Sequence, residues 1–186
     1  MFAKRISVLL LISLFVARAG SFAQNASVSP YSRYGLGDIP FDGFAKNNGM
    51  GGIGISYRLP FSINISNPAS YSSLALTTCE FGGMASFTKL STSTLKQNKS
   101  DATFSYFALA FPVVKNNWGA VIGLVPYSEV GYTINDAVTD SIAGPVTYKY
   151  EGSGGVNRFF IGNSVKLFKN FSVGFNASYL FGSLKK

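Results

Sequence analysis

Few side chains in this sequence are equipped for chemistry, and their types set limits at once. Among 186 residues there is no histidine and a single cysteine, Cys79. This removes His-based triads, Cys–His nucleophile pairs, zinc sites of the Cys/His type and any internal disulfide. Cys79 stands in Thr78-Cys79-Glu80-Phe81 and reads as a small apolar side chain on one strand face. The acidic residues Asp38, Asp42, Glu80, Asp101, Glu129, Asp136, Asp140 and Glu151 are dispersed, and none pair as a glycosidase dyad would. Asp136 and Asp140 could share a Ca²⁺ in a loop, although two carboxylates four apart are more often simply solvated. Gly49-Met50-Gly51-Gly52-Ile53-Gly54 formally fits the dinucleotide fingerprint, which needs a strand before it and a helix after it. Here Phe44-Ala45-Lys46-Asn47-Asn48 precedes, and Ile55 to Leu59 runs into Pro60. The glycines read instead as backbone freedom for close packing of an irregular segment. The expectation is a protein that is not an enzyme and carries no cofactor or metal.

The elements that position these residues follow from composition. Hydrophobic residues make up 47% of the chain, aromatics 15% and charged residues 13%, well below the roughly 25% charge of an average soluble domain. Twenty Gly, together with many Ser, Thr and Asn, argue against long helices. An all-β, turn-rich protein is expected.

At the N-terminus, Lys4 and Arg5 precede the apolar run Ile6 to Ala17, followed by Ser21-Phe22-Ala23-Gln24. This pattern predicts a signal peptide over 1–23 cleaved after Ala23; the run is short for a spanning anchor, which needs roughly 20 residues. Cleavage takes Lys4, Arg5 and Arg18 with it, so part of the formal +8 charge belongs to the export signal. The remaining basic residues are scattered, which argues against nucleic acid as a partner. The sequon Asn25-Ala26-Ser27 carries no meaning in a bacterial-type exported protein.

Residues 24–75 are dense in Gly, Pro and Asn and read as irregular, whereas 76–186 alternate with period two. Phe171, Val173, Phe175, Ala177, Tyr179 and Phe181 are separated by small or polar residues, as in a strand with one apolar face. Phe159, Ile161, Val165 and Leu167 precede them across Phe168-Lys169-Asn170, which makes a hairpin. Phe107, Leu109, Phe111 and Val113 join Trp118, Ala120, Ile122 and Leu124 across Lys115-Asn116-Asn117 in the same way, and Phe81, Ala85 and Phe87 mark a fifth, weaker strand. Lys89 to Asp101 and Val130 to about Gly154 read as long polar loops, with Val146 to Tyr150 able to extend a strand. Alternating short and long connections, with strands of about 10 residues, match an outer-membrane barrel.

The fold expected is therefore all-β: the N-terminal, incomplete portion of a transmembrane antiparallel β-barrel, with an irregular hatch or plug over 24–75 and about five strands over 76–186. The Gly, Ala, Ser and Asn opposite the apolar face suit a lumen. Glu80 and Arg158 fall on that face, where they line a passage, pair with the plug or are merely hydrated. Trp118, Tyr127, Tyr132, Tyr148, Tyr150 and Tyr179 near strand ends would supply interfacial girdles. A secreted β-sandwich or adhesin-like domain is the alternative. Five strands cannot close a barrel, and an open edge has no place in lipid, so the chain is expected to be part of a longer protein.

Gly49 to Ile55, followed by Asn67-Pro68-Ala69-Ser70-Tyr71-Ser72-Ser73-Leu74, resembles the GG-x-G … NPA-x-x-x-x-L stretch near the N-terminus of the FadL/TodX transporters of long-chain fatty acids and aromatic hydrocarbons. Gly152 to Asn157 looks like related outer-membrane proteins. The resemblance covers the plug region and first strands. It implies a plugged barrel in the bacterial outer membrane that takes up hydrophobic compounds, with Gly51, Gly52, Gly54, Asn67, Pro68 and Ala69 in the hatch motif. Its implied partners are outer-membrane lipid and lipopolysaccharide and hydrophobic small molecules. Cousins of this architecture act as scaffold or shuttle components of protein secretion, and there the partner would be an exported protein.

Overall fold

The computed structural model describes residues 29–40, 43–91, 96–140 and 144–186. The expected signal peptide at 1–23, the Asn25 sequon and Asp42 lie outside them. Five strands, β1 (Thr78–Ser91), β2 (Lys96–Val114), β3 (Trp118–Asp140), β4 (Gly144–Phe168) and β5 (Phe171–Lys185), form one antiparallel sheet in the order β1-β2-β3-β4-β5. The all-β expectation holds in this form. Among the described residues the sheet is open, not closed into a barrel, and no second sheet packs on it as a sandwich requires.

Two connections are the short turns that the alternation predicts. Asn116 adopts a left-handed φ of 57°, a conformation Asn tolerates better than most residues, and the Asn117 N–H donates to Val114 O at 3.0 Å. The predicted long loops are different. β1–β2 pairing runs out to Ser91↔Lys96, and β3–β4 pairing to Asp140↔Gly144. Polar residues there dilute the period-two signal, while Thr103, Tyr132, Thr133, Ile134, Val138, Val146, Thr147 and Tyr148 still favour extended backbone.

The register shifts beside each short turn, between Pro112 and Val114 and between Lys166 and Phe168, and away from its turn the β2–β3 ladder splits. β2–β3 pairing covers only Val114↔Trp118 to Phe107↔Leu124. Just beyond, the register shifts between Gly82 and Gly83 opposite β2, and again between Pro126 and Ser128 in β3. Each shift leaves an extra residue, Ser105 on β2 and Tyr127 on β3, and such bulges bend and twist a strand. Pro126 also lacks a backbone donor. The β1–β2 and β3–β4 hairpins therefore continue without pairing to each other.

Preceding the sheet, the chain is irregular apart from a 3₁₀ turn at Pro30–Arg33, a short helix α1 (Ala45–Gly49) and a 3₁₀ helix at Pro68–Ser73. This segment lies across one face of the sheet. Phe44, Ile63, Ile65, Tyr71 and Leu74 from it form the core with Tyr106, Ala108, Ala110, Val121 and Phe160 from the strands. Phe44 and Tyr106 stack with ring centroids 4.1 Å apart. Burying an aliphatic or aromatic side chain of this kind contributes roughly 1.5–3 kcal/mol.

Candidate functional site: a covered face and an open face

Alternation sorts each strand into two faces with different occupants. On the covered face the register aligns Thr78, Ala110, Val121, Gly162 and Asn176 in one row, and Pro112, Gly119, Ser164 and Gly174 in the next. These small residues make room for the Pro68–Ser73 helix. A Cβ at Gly174 would stand 2.5 Å from Pro68 C and 2.6 Å from Ala69 N; one at Gly162 would meet the Tyr71 ring at 2.5 Å, and one at Gly119 would overlap Tyr71 O. Polar groups then fix the helix in place. The Tyr71 hydroxyl donates to Asn176 Oδ1 at 3.1 Å, Asn176 Nδ2 donates to Ile65 O at 3.2 Å, Ser164 Oγ donates to Ala69 O at 3.0 Å, and the Ser72 N–H donates to Ser164 Oγ at 3.2 Å.

The six motif residues come together inside the irregular segment. Asn67 Nδ2 donates to Ile55 O at 2.7 Å, and Pro68 opens the helix that carries Ala69, a position where a missing N–H costs nothing. Gly51 and Gly52 take φ values of 69° and 88° and turn the chain back after α1, with the Gly52 N–H donating to Asn47 O at 2.8 Å. A Cβ at Gly54 would press on Ser66 Cβ at 2.8 Å. Buried Asn64, which the sequence did not single out, holds both sides of the loop by donating from Nδ2 to Gly54 O and, at 2.8 Å, to Tyr57 O.

Glu80 accepts a hydrogen bond from the Ile63 N–H at 2.8 Å, so this carboxylate ties the irregular segment to β1. Arg158 is half-buried on β4, two residues from buried Phe160 and on the same covered face. Asp136 lies on β3 opposite Tyr148 rather than in a loop, and among the described residues no group of three or more acidic or Cys side chains could hold a metal ion.

The other face carries a belt of large apolar side chains. One register row reads Phe81, Phe107, Leu124, Phe159, Tyr179, and the next reads Cys79, Leu109, Ile122, Ile161, Ala177. Phe81 is 79% exposed, Phe175 63% and Tyr179 68%. Trp118 sits beside a short turn, and its Nε1 donates to Asn163 Oδ1 at 3.1 Å. Tyr132 departs from the expected girdle: it is buried on the covered face, over Gly152.

A family model described as BamG matches residues 2–186. The chain belongs to the BamG family. Comparison with curated proteins and with solved structures finds no match. The family assignment spans nearly the whole chain and overturns the FadL/TodX resemblance, which rested on two short motifs. Their residues explain why they misled: Gly51, Gly52, Asn67 and Pro68 make turns and a helix start that any compact irregular segment can use. The expected uptake of fatty acids or aromatic hydrocarbons falls with the resemblance, as do hydrophobic small molecules, lipid and lipopolysaccharide as partners. The chain is outer-membrane associated.

Proposed function

We propose that this protein is a component of outer-membrane protein assembly that works with the proteins of the BAM complex. The observation that carries this reading is the BamG family match over residues 2–186. The two-faced sheet supports it. A sheet in water ordinarily turns a polar face to solvent, whereas here the uncovered face is the aromatic one. The five strands are a sector of a transmembrane barrel wall in the bacterial outer membrane, with the belt turned to acyl chains and the irregular segment inside as a plug. The bilayer is then the solvent of the belt and not a cargo. Export through a cleaved signal peptide over 1–23 fits the same destination.

In this role the protein performs no bond chemistry. Its glycine-seated plug gives the barrel a filled interior, so the wall can serve as a docking body without opening a pore. Depletion of the protein tests the reading. The expected result is a fall in the folded amount of other outer-membrane barrels, with soluble periplasmic proteins unchanged. An unaltered outer-membrane protein profile after depletion would count against it.

A further inference from the structure

The split between β2 and β3 forms a slot in the sheet. A cavity of ≈ 210 Å³ opens there, with Met84, Thr103 and Phe104 on one side, Val125 and Glu129 on the other, and Pro40 behind. Strand edges form two of its sides, and Gly43 and Asn48 of the irregular segment line it together with Pro40. β2–β3 pairing ends at Phe107↔Leu124, and on the β3 side the backbone of Glu129 points into the slot and away from β4. One short piece of chain already uses this edge. Asp38 and Glu129 exchange both backbone hydrogen bonds at 2.9 Å as an isolated antiparallel bridge, and the Gly131 N–H donates to Ser32 Oγ at 3.2 Å. Gly37, at φ 95°, brings this strap so close that a Cβ would overlap Glu129 O.

The geometry points to a β-augmentation site: the slot accepts an extended segment of a partner polypeptide, which replaces the strap on β3. Three features select this occupant. The edge has been shown to pair, since Asp38 pairs with it. Backbone donors and acceptors along a strand edge need partners that a hydrocarbon cannot supply. Apolar Met84, Phe104 and Val125 beside those edges suit the alternate side chains of an added strand, which is where such complexes gain specificity. Naming the partner as a segment with alternating apolar and polar residues, the pattern of a barrel strand, rests on the assembly reading above.

The test uses the full chain with Cys79→Ser and a photoreactive side chain at Thr103 or, as a control, at Phe175 on β5. The probe is a synthetic peptide of about ten residues, the length of a spanning strand, alternating Val or Tyr with Thr or Ser. A second peptide has the same composition with its apolar residues in one block. Asp38→Cys with Glu129→Cys locks the strap, because residues that exchange both bonds sit about 5.5 Å apart at Cα, within disulfide range. Gly37→Ala loosens it. The alternating peptide is expected to label Thr103 and not Phe175. Labelling is lost in the oxidised lock, returns on reduction, and rises several-fold with Gly37→Ala. Equal labelling by the block peptide, or labelling that persists through the oxidised lock, overturns the proposal. Labelling without any BAM subunit in the purified complex would keep the slot and remove the assembly reading; a silent slot in a protein that does purify with them would do the reverse.

Discussion

Tyr71 is the side chain through which the irregular segment grips the sheet. Its ring fills the space left by Gly162, its carbonyl presses on Gly119, and its hydroxyl reaches Asn176. Tyr71→Ala is expected to destabilise the fold by about 3–5 kcal/mol, the range for truncating a buried aromatic. Tyr71→Phe, which removes only the hydroxyl's bond, is expected to cost about 1 kcal/mol. Denaturant unfolding of the two variants separates these values. Gly174→Ala puts a methyl against Pro68 and Ala69 backbone, which cannot rotate away as a side chain would, and about 1–3 kcal/mol of overpacking is expected in the same assay. Asn67 and Pro68 were legible in the sequence as turn formers, because their effect is local. Tyr71 was not, since its partner Asn176 is 105 residues away. The available signal was the recurrence of glycine at covered-face positions, Gly119, Gly162 and Gly174, where strands ordinarily place larger residues.

At the scale of elements, the strands and both short turns were readable because each strand has one apolar face near the turns. The distal parts of the hairpins were not. There Ser, Lys, Asn and Asp occupy both faces, and what keeps the chain extended is cross-strand pairing, which a linear pattern does not display. The split was half legible: Pro126 in a strand-like run is a warning, but the bulge at Ser105 depends on the register with β1. Replacing Pro126 with Thr restores a donor at the seam. It is expected to lengthen β2–β3 pairing and to slow amide exchange at residues 103–106, which hydrogen-exchange mass spectrometry reads directly. Unchanged exchange would assign the split to the two bulges alone.

For the molecule as a whole, the proposed place in a barrel wall turns on the belt from Phe81 to Tyr179. Phe159→Arg puts a charge in the middle of that row, and a cost of about 2–4 kcal/mol is expected if the belt lies at the bilayer midplane. Ser178→Arg, on the other face and exposed, is expected to stay within about 0.5 kcal/mol. Folding into lipid vesicles, followed by protease protection, compares the two. The two-faced sheet could be read from alternation, and the irregular backbone of the segment before it from its glycine, proline and asparagine content. The family could not, because membership is spread over residues 2–186 while the eye catches short motifs whose turn chemistry is shared widely. The most direct measurement is affinity purification of the tagged full chain from native outer membranes with mass spectrometry of what accompanies it. BAM complex subunits are expected in fixed proportion to the protein. Recovery of the folded protein without any of them would contradict the proposed role.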